Sequence, residues 1–276
     1  MQTHIPKVIH FCWFGHNPLP SSVKACIQSW KKRCPDYRIV GWNENNFDIS
    51  RCAYMQEAYE AGRWAFVSDV ARLFIIYEHG GIYLDTDVEL LRSLDSVIQT
   101  NQFFFGIETH TSKREHTVSS AVNTGLGFGA VKKHPTVKAM LDMYTEIHFS
   151  QNGVLDMTCC PQRNSAALRA YGFTGEDRLY QFLGGSIYPS EYFCPREFET
   201  DATHFSRKTV SIHHFHDSWQ TPEEKYYDRK LAAFRNHLPG FLSYQLASFL
   251  TAVKYHGFIQ GTLSRLSALK NRLKQK

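Results

Sequence analysis

Residues 64–87 constrain this chain more than any other stretch. Residues 64–78 read as a helix that is almost wholly apolar, with Ser68, Asp69 and Arg72 among its few polar side chains. A helix apolar on nearly every face is buried rather than laid on a surface. His79-Gly80-Gly81 ends it, and residues 82–85 (IYLD) follow as a short buried strand that closes on Asp85-Thr86-Asp87. Upstream, residues 5–15 predict a buried strand, 20–33 an amphipathic helix capped by Ser21 or Ser22, and 37–42 a second strand. Strand, helix and strand at this spacing begin an α/β sheet.

The rest of the pattern is coarser. A helix is expected over 52–62, strands over 103–108 and within 125–131, a helix over 135–148, and loop and strand over 183–195 and 208–215. A shift in composition at 220–224 suggests a body of residues 1–220 and a tail of residues 221–276, helical over 225–238, 241–254 and 262–275. Charge divides at the same place. The chain carries 31 Lys and Arg against 26 Asp and Glu, a net +5. Ten of the basic residues and only Asp228 among the acidic ones fall in 225–276, a local +9 that leaves the first 224 residues at −4. An acidic body disfavours nucleic acid as a partner. With 43% hydrophobic residues the chain can bury a large core, and no apolar run approaches the ~18–20 residues of a membrane span. Residues 1–15 lack the features of a secretory leader, and seven cysteines without C-x-x-C spacing suit a reduced, cytosolic setting.

The candidate chemistry gathers around few positions. Asp85 and Asp87, two apart on a strand, point to one face at the edge where α/β sheets bind ligands. Two converging carboxylates can hold a hard divalent cation, which can neutralise a diphosphate; a plain strand-ending turn is the competing reading. Asp69 and Arg72, three apart, share a helix face and can pair, either to orient the helix or to meet sugar hydroxyls and phosphate oxygens. Trp13, at the end of the first strand, either stacks on a base or fills the core. Near the end of the body, His213-His214-Phe215-His216 supplies imidazoles that can ligate a metal or merely form a surface cluster. On a strand His214 and His216 share one face and His213 opposes them. Trp219 can donate its indole N–H to a phosphate oxygen.

Three ordered segments, IPKVIHFCWFG, SDVARLFIIYEHGGIYLDTD and SIHHFHDSW, resemble the DXD sugar-transferase family, family 32 of the sequence-based classification. NTGLGFGAVKKHP (123–135) and IYPSEYFCP (187–195) extend the likeness over roughly residues 4–219, and the first two segments also look like clostridial toxin glucosyltransferase domains. The resemblance implies a GT-A fold, a Rossmann-like mixed sheet flanked by helices that binds a nucleotide-sugar, here with a C-terminal helical extension. It implies Trp13 against uracil, Phe11 lining the same pocket through its backbone, and Asp69 and Arg72 on the donor sugar. Tyr83 precedes the motif; Asp87 would ligate Mn²⁺ (or Mg²⁺) directly, and Asp85 would reach metal through water, or ribose and sugar hydroxyls. His214 falls where relatives place a late metal ligand, with His216 as the fallback, and Trp219 would meet a β-phosphate. Asn123 would contact the donor or acceptor sugar. The implied reaction is metal-dependent transfer, with retention, from a UDP-sugar to a glycan acceptor, such as a lipid-linked polysaccharide intermediate.

In the tail, Leu242, Leu246, Phe249, Leu250 and Val253 share a helical face, and Ile259, Leu263, Leu266 and Leu273 continue it among basic residues. This pattern suits a helix lying on an anionic membrane surface, placing the protein on the inner face of the cytoplasmic membrane; a hairpin packed on protein is the alternative. Two other functions compete. LDTDVEL also resembles the nucleophile motif of haloacid-dehalogenase phosphotransferases, although it comes 85 residues in, with no paired acidic motif downstream. A non-catalytic sugar-binding or membrane scaffold is the third reading, disfavoured by the intact Asp69, Arg72, Asp85, Asp87 and Trp219.

Overall fold

The computed structural model describes residues 4–112, 117–195, 203–215, 222–235 and 237–257. By internal packing the chain divides into two units, Met1–Phe215 and His216–Lys276, each described by itself. The first opens with β1 (Val8–Cys12), α1 (Ser21–Arg33) and β2 (Arg38–Trp42), and β1 and β2 run parallel in register from Val8↔Arg38 to Cys12↔Trp42. Pro20, not Ser21 or Ser22, takes the cap position of α1 and makes no side-chain cap bond; its fixed φ of −61° suits the entry into a helix. After a 3₁₀ turn come α2 (Ala53–Glu60), α3 (Trp64–His79), β3 (Gly81–Tyr83), β4 (Val88–Leu90) and α4 (Asp95–Ile98). Next follow the long antiparallel pair β5 (Phe103–Ser112) and β6 (Thr117–Asn123), then β7 (Phe128–Ala130) and α5 (Pro135–Asp142). A hairpin of β8 (Ser150–Gln151) and β9 (Val154–Leu155) precedes α6 (Cys160–Arg169). The unit closes with β10 (Tyr180–Phe182), β11 (Gly185–Tyr188), α7 (Ser190–Phe193) and β12 (Ser211–His213).

The main sheet runs β10-β11-β5-β7-β3-β1-β2, with β6 paired to β5. Parallel pairs (β1–β2, β1–β3, β5–β11) mix with antiparallel ones (β3–β7, β5–β7, β5–β6, β10–β11), giving the expected mixed sheet flanked by helices. Alternation along the strands splits the core in two. Tyr83, Phe103 and Phe105 join the layer that holds Val67, Val70, Leu73 and Ile76 of α3, whereas Ile82 and Phe104 join Trp30 of α1 with Val88 and Leu90 of β4. Each such side chain removed from water contributes about 1.5–3 kcal/mol, so α3 is held by its burial rather than by its caps. The turn from α3 into β3 needs glycine. Gly80 and Gly81 have φ of 68° and 106°, and a Cβ on Gly81 would meet Val8 O at 2.8 Å and His10 Nε2 at 2.9 Å. Several expected bounds shift: the 82–85 strand stops at Tyr83, the 103–108 strand continues to Ser112, and the 135–148 helix ends at Asp142.

The second unit contains α8 (Pro222–Arg235) and α9 (Gly240–His256) as an antiparallel-type hairpin joined by a short turn. Tyr226 meets Tyr255 with ring centroids 6.0 Å apart, Lys254 lies 4.1 Å over the Tyr226 ring, and His256 Nε2 is 2.9 Å from Glu223 Oε1. The buried positions of α9 are small or polar (Gly240, Ser243, Ala247, Thr251), while Phe241, Leu242 and Leu246 stand 66%, 46% and 40% exposed. The 262–275 helix, with Ile259, Leu263, Leu266 and Leu273, lies outside the described residues. Among the described residues no helix is long and apolar enough to cross a membrane.

Candidate active site

The DXD residues lie in the turn between β3 and β4. Leu84 N–H donates to His10 O (3.1 Å), Asp85 N–H to Gly125 O (3.3 Å) and Val88 N–H to Asp85 O (3.0 Å), so the chain leaves the main sheet at Asp85 and starts a second, two-stranded sheet at Val88. In that sheet β12 pairs antiparallel with β4, opposing His213 to Val88, and His214 N–H donates to Asp87 O at 3.0 Å. The pairing turns the His213 ring onto the carboxylates: Nε2 lies 3.2 Å from Asp87 Oδ1 and 3.8 Å from Asp85 Oδ2. His213 is 9% exposed, Asp87 16% and Asp85 25%, so the cluster opens to one side. Burial disfavours imidazolium, but Asp87 and Asp85 outweigh it and raise the pKa of His213. His214, the expected ligand, turns the other way, with Nε2 3.1 Å from Glu89 Oε2. His213 rather than His214 thus faces the carboxylates, because alternation along the chain sets the two rings on opposite faces. His216 and Trp219 lie outside the described residues.

Two carboxylate oxygens and one imidazole nitrogen, all within 4.8 Å of one another, form a hard and borderline donor set that fits Mn²⁺ or Mg²⁺. Beside them Arg72, 3% exposed, ties helix α3 to the site. Its Nη2 lies 2.8 Å from Asp69 Oδ1 and 3.2 Å from Asp85 Oδ1, its Nε donates to Ser68 O at 3.0 Å, and its guanidinium sits 4.9 Å from the Tyr83 ring centre. The Tyr83 hydroxyl donates to Asp85 Oδ1 at 3.1 Å. Burial alone would raise the pKa of Asp85, but Arg72, His213 and the Tyr83 hydroxyl hold it below the usual carboxylate value. Asp69 is raised, because burial exceeds what Arg72 returns. One guanidinium thus bridges two carboxylates of different character, on α3 and on the DXD turn.

Asn123, at the end of β6, accepts from Gly125 N–H through Oδ1 at 2.6 Å, and Asn164 of α6 donates to Thr124 Oγ1 at 3.1 Å. Trp13 follows β1 directly and is half-buried; its backbone N–H donates to Trp42 O (2.9 Å) and its indole N–H to Asn17 O (2.6 Å). Since β1 and β3 are parallel neighbours with His10 opposite Tyr83, Trp13 and Asp85 leave the same edge of the sheet. Phe11 packs its ring on Trp30, centroids 5.8 Å apart. The structure thus brings Asp69, Arg72, Tyr83, Asp85 and Asp87 into one contact network, with Phe11 on the strand beside it and Trp13 just past that strand's end. The sequence points to His214 where the structure turns His213 onto the carboxylates, and it gives no sign that Glu108 accepts from Asn123 or that Asn164 of α6 donates to Thr124. Pro161 in the first turn of α6 is the local signal for that helix.

Residues 20–104 match the family described as a glycosyltransferase sugar-binding region containing a DXD motif. Inositol phosphoceramide mannosyltransferase 3 of Schizosaccharomyces pombe is 34% identical over 98 residues, which cover 34% of this chain and 27% of that protein. Subversion of eukaryotic traffic protein A of Legionella pneumophila is 25% identical over 114 residues, 32% of this chain and 18% of that protein. The matched part is thus about a quarter or less of these relatives' length. Among solved structures, the PaToxG glycosyltransferase aligns at a TM-score of 0.44 with 19% identity, over 61% of this chain and 70% of that one. A glycosyltransferase involved in glycosylation of the PBCV-1 major capsid aligns at 0.39 with 12% identity, over 78% and 95%. Within the matched stretch, Asp85-Thr86-Asp87 supplies a D-x-D triplet.

Proposed function

We propose that the chain is a metal-dependent glycosyltransferase that moves a sugar, with retention of configuration, from a nucleotide-sugar to a glycan acceptor. The observation that carries this reading is the convergence of Asp85, Asp87 and His213 on one point beside the buried Asp69–Arg72 pair. Asp85, Asp87 and His213 would hold Mn²⁺ or Mg²⁺, which when bound supplies positive charge to the leaving diphosphate. Arg72 is fixed by four neighbours, so its charge is in place before reaction and costs no reorganisation as the leaving group departs. Asp69 is the acceptor for donor-sugar hydroxyls, and Asn123 borders the sugar from β6. Trp13, beside this group at the sheet edge, is the platform for uracil, which favours a UDP-sugar.

The acceptor we favour is a lipid-linked glycan at the inner face of the cytoplasmic membrane. Two features support it: the outward Phe241, Leu242 and Leu246 of α9, and the basic composition of residues 225–276. The Schizosaccharomyces pombe relatives, named for mannose transfer to inositol phosphoceramide, are consistent with a lipid-borne acceptor and make mannose a sugar worth testing.

Calorimetric titration tests the donor site. Uridine diphosphate should bind only with Mn²⁺ or Mg²⁺ present, and Asp87→Asn should abolish that binding while leaving the far-ultraviolet spectrum and unfolding midpoint near wild type. Nucleotide binding that ignores both the cation and Asp87→Asn would overturn the assignment.

A further inference from the structure

Glu108 stands on β5 with only 6% of its surface exposed, and no step of the reaction above uses it. A carboxylate so far from water is unfavourable unless donors meet it. Asn123 Nδ2 donates to its Oε2 at 2.6 Å. The register explains the meeting: Gly106 opposes Asn123 and Ala121 opposes Glu108, so the two side chains are diagonal neighbours on one face of the β5–β6 ribbon.

An asparagine amide has a donating end and an accepting end, and a half-turn exchanges them. Here both ends are committed. A carboxylate only accepts, so it holds Nδ2; a backbone N–H only donates, so Gly125 holds Oδ1 at 2.6 Å. That leaves the amide one orientation. Gly125, so held, presents its carbonyl to Asp85 N–H and its bare Cα to the Asp85 carboxylate. The same Asn123 Oδ1 lies 3.8 Å from Cys160 Sγ. The path from Glu108 therefore reaches Asp85, one of the two carboxylates that flank Arg72.

We infer that Glu108 is a positioning residue for sugar transfer: through Asn123 it sets the 123–125 turn, and that turn sets Asp85. The inference deepens the glycosyltransferase reading and rests on it. Glu108→Gln keeps an oxygen that can accept from Asn123, whereas Glu108→Met keeps the length and loses the acceptor. In the full chain, Glu108→Gln should keep kcat for nucleotide-sugar turnover within about fivefold, since the acceptor survives. Glu108→Met should lose roughly 30- to 100-fold in kcat with KM for the donor changed less than about threefold, because the groups are misplaced rather than absent. Mn²⁺ affinity, read by electron paramagnetic resonance without any donor, should fall about tenfold in Glu108→Met and stay near wild type in Glu108→Gln.

A folded Glu108→Met protein with wild-type kcat and Mn²⁺ affinity overturns the inference, as does a Gln variant that falls as far as Met. If Glu108→Met does not fold, Asn123→Asp decides, because it sets two carboxylates face to face. Adding Glu108→Gln to Asn123→Asp restores a donor–acceptor pair and should regain at least about fivefold of the lost Mn²⁺ affinity; no regain overturns the inference. A wild-type protein without turnover on any nucleotide-sugar would refute the glycosyltransferase reading instead, and the Mn²⁺ series would still judge Glu108.

Discussion

Gly125→Ala is the smallest change that should disable the site. A Cβ at this position would land inside van der Waals distance of Asp85 Oδ2, 3.0 Å from Asn123 Oδ1 and 3.3 Å from Arg72 Nη1. The backbone at Gly125 does not take a left-handed φ, so alanine meets no conformational obstacle of its own. The obstacle is the carboxylate, which must retreat by roughly 1 Å to restore an ordinary carbon–oxygen contact. Its other oxygen is held by Arg72 at 3.2 Å and the Tyr83 hydroxyl at 3.1 Å, so retreat stretches one charge-assisted and one neutral hydrogen bond. Together those are worth about 2–4 kcal/mol, of which partial relaxation should recover some. A displacement of that size at a charge-stabilising group should cost on the order of 100-fold in turnover. The assay is nucleotide release from the best nucleotide-sugar with saturating Mn²⁺, beside a thermal unfolding curve for the same preparation. Gly125→Ala should unfold a few degrees below wild type, about 5 °C for a cost near 2 kcal/mol, and lose most of its activity. A Gly125→Ala protein with wild-type turnover and Mn²⁺ affinity would refute the claim that this glycine makes room for the Asp85 carboxylate.

Three further outcomes follow from the same geometry. His213→Ala should weaken Mn²⁺ binding by at least about tenfold, whereas His214→Ala, which loses a partly exposed pair with Glu89, should leave it unchanged; the reverse order, read by Mn²⁺ titration, would make His214 the ligand. His10 is buried, accepts from the Trp42 indole N–H at Nδ1 (3.0 Å), and has its pKa lowered by burial from 6.5 to about 4. Between those values the unfolded chain binds a proton that the folded one does not. Stability should therefore fall as pH drops from 6.5 towards 4, by up to about 3 kcal/mol relative to His10→Gln in paired urea titrations; parallel pH curves for the two proteins would contradict it. On α9, Leu242→Asp with Leu246→Asp should reduce co-flotation with anionic vesicles without shifting the unfolding midpoint, since both side chains are exposed; wild-type protein that fails to float would end the membrane proposal.

What the sequence discloses about this chain follows the range of the interactions involved. Helix α3 and the DXD turn are readable because a largely apolar helix, a Gly-Gly stop and a short strand are local signals, and the Asp69–Arg72 pair follows from a spacing of three. That Trp13 and Asp85 share a sheet edge depends on the parallel pairing of β1 with β3, which the sequence does not state. His213 could not be chosen over His214 from spacing alone. The choice depends on which face of β12 meets the DXD turn, and β4, the strand that decides it, lies 121 or more residues upstream in pairing. Glu108 was hidden for a similar reason: its meeting with Asn123 is diagonal across two strands, and only the register of β5 against β6 produces it. The cap of α1 differs from the expected serine because Ser21 and Ser22, though good cap residues, follow Pro20, which already supplies the turn into the helix. The β8–β9 hairpin has a local signal of its own, since Asn152-Gly153, both with positive φ, is a favoured two-residue turn.

The central claim is that Asp85, Asp87 and His213 serve a sugar-transfer reaction. Its most direct test is release of nucleoside diphosphate from a panel of UDP- and GDP-sugars, with Mn²⁺ and with chelator, by wild type and Asp87→Asn. Donor hydrolysis can proceed without the acceptor, so the measurement does not wait for the acceptor to be known. Wild type should release the diphosphate from at least one donor only when Mn²⁺ or Mg²⁺ is present, and Asp87→Asn should release none above background. Turnover that persists in chelator and in Asp87→Asn, or release of inorganic phosphate in place of the nucleoside diphosphate, would contradict the account.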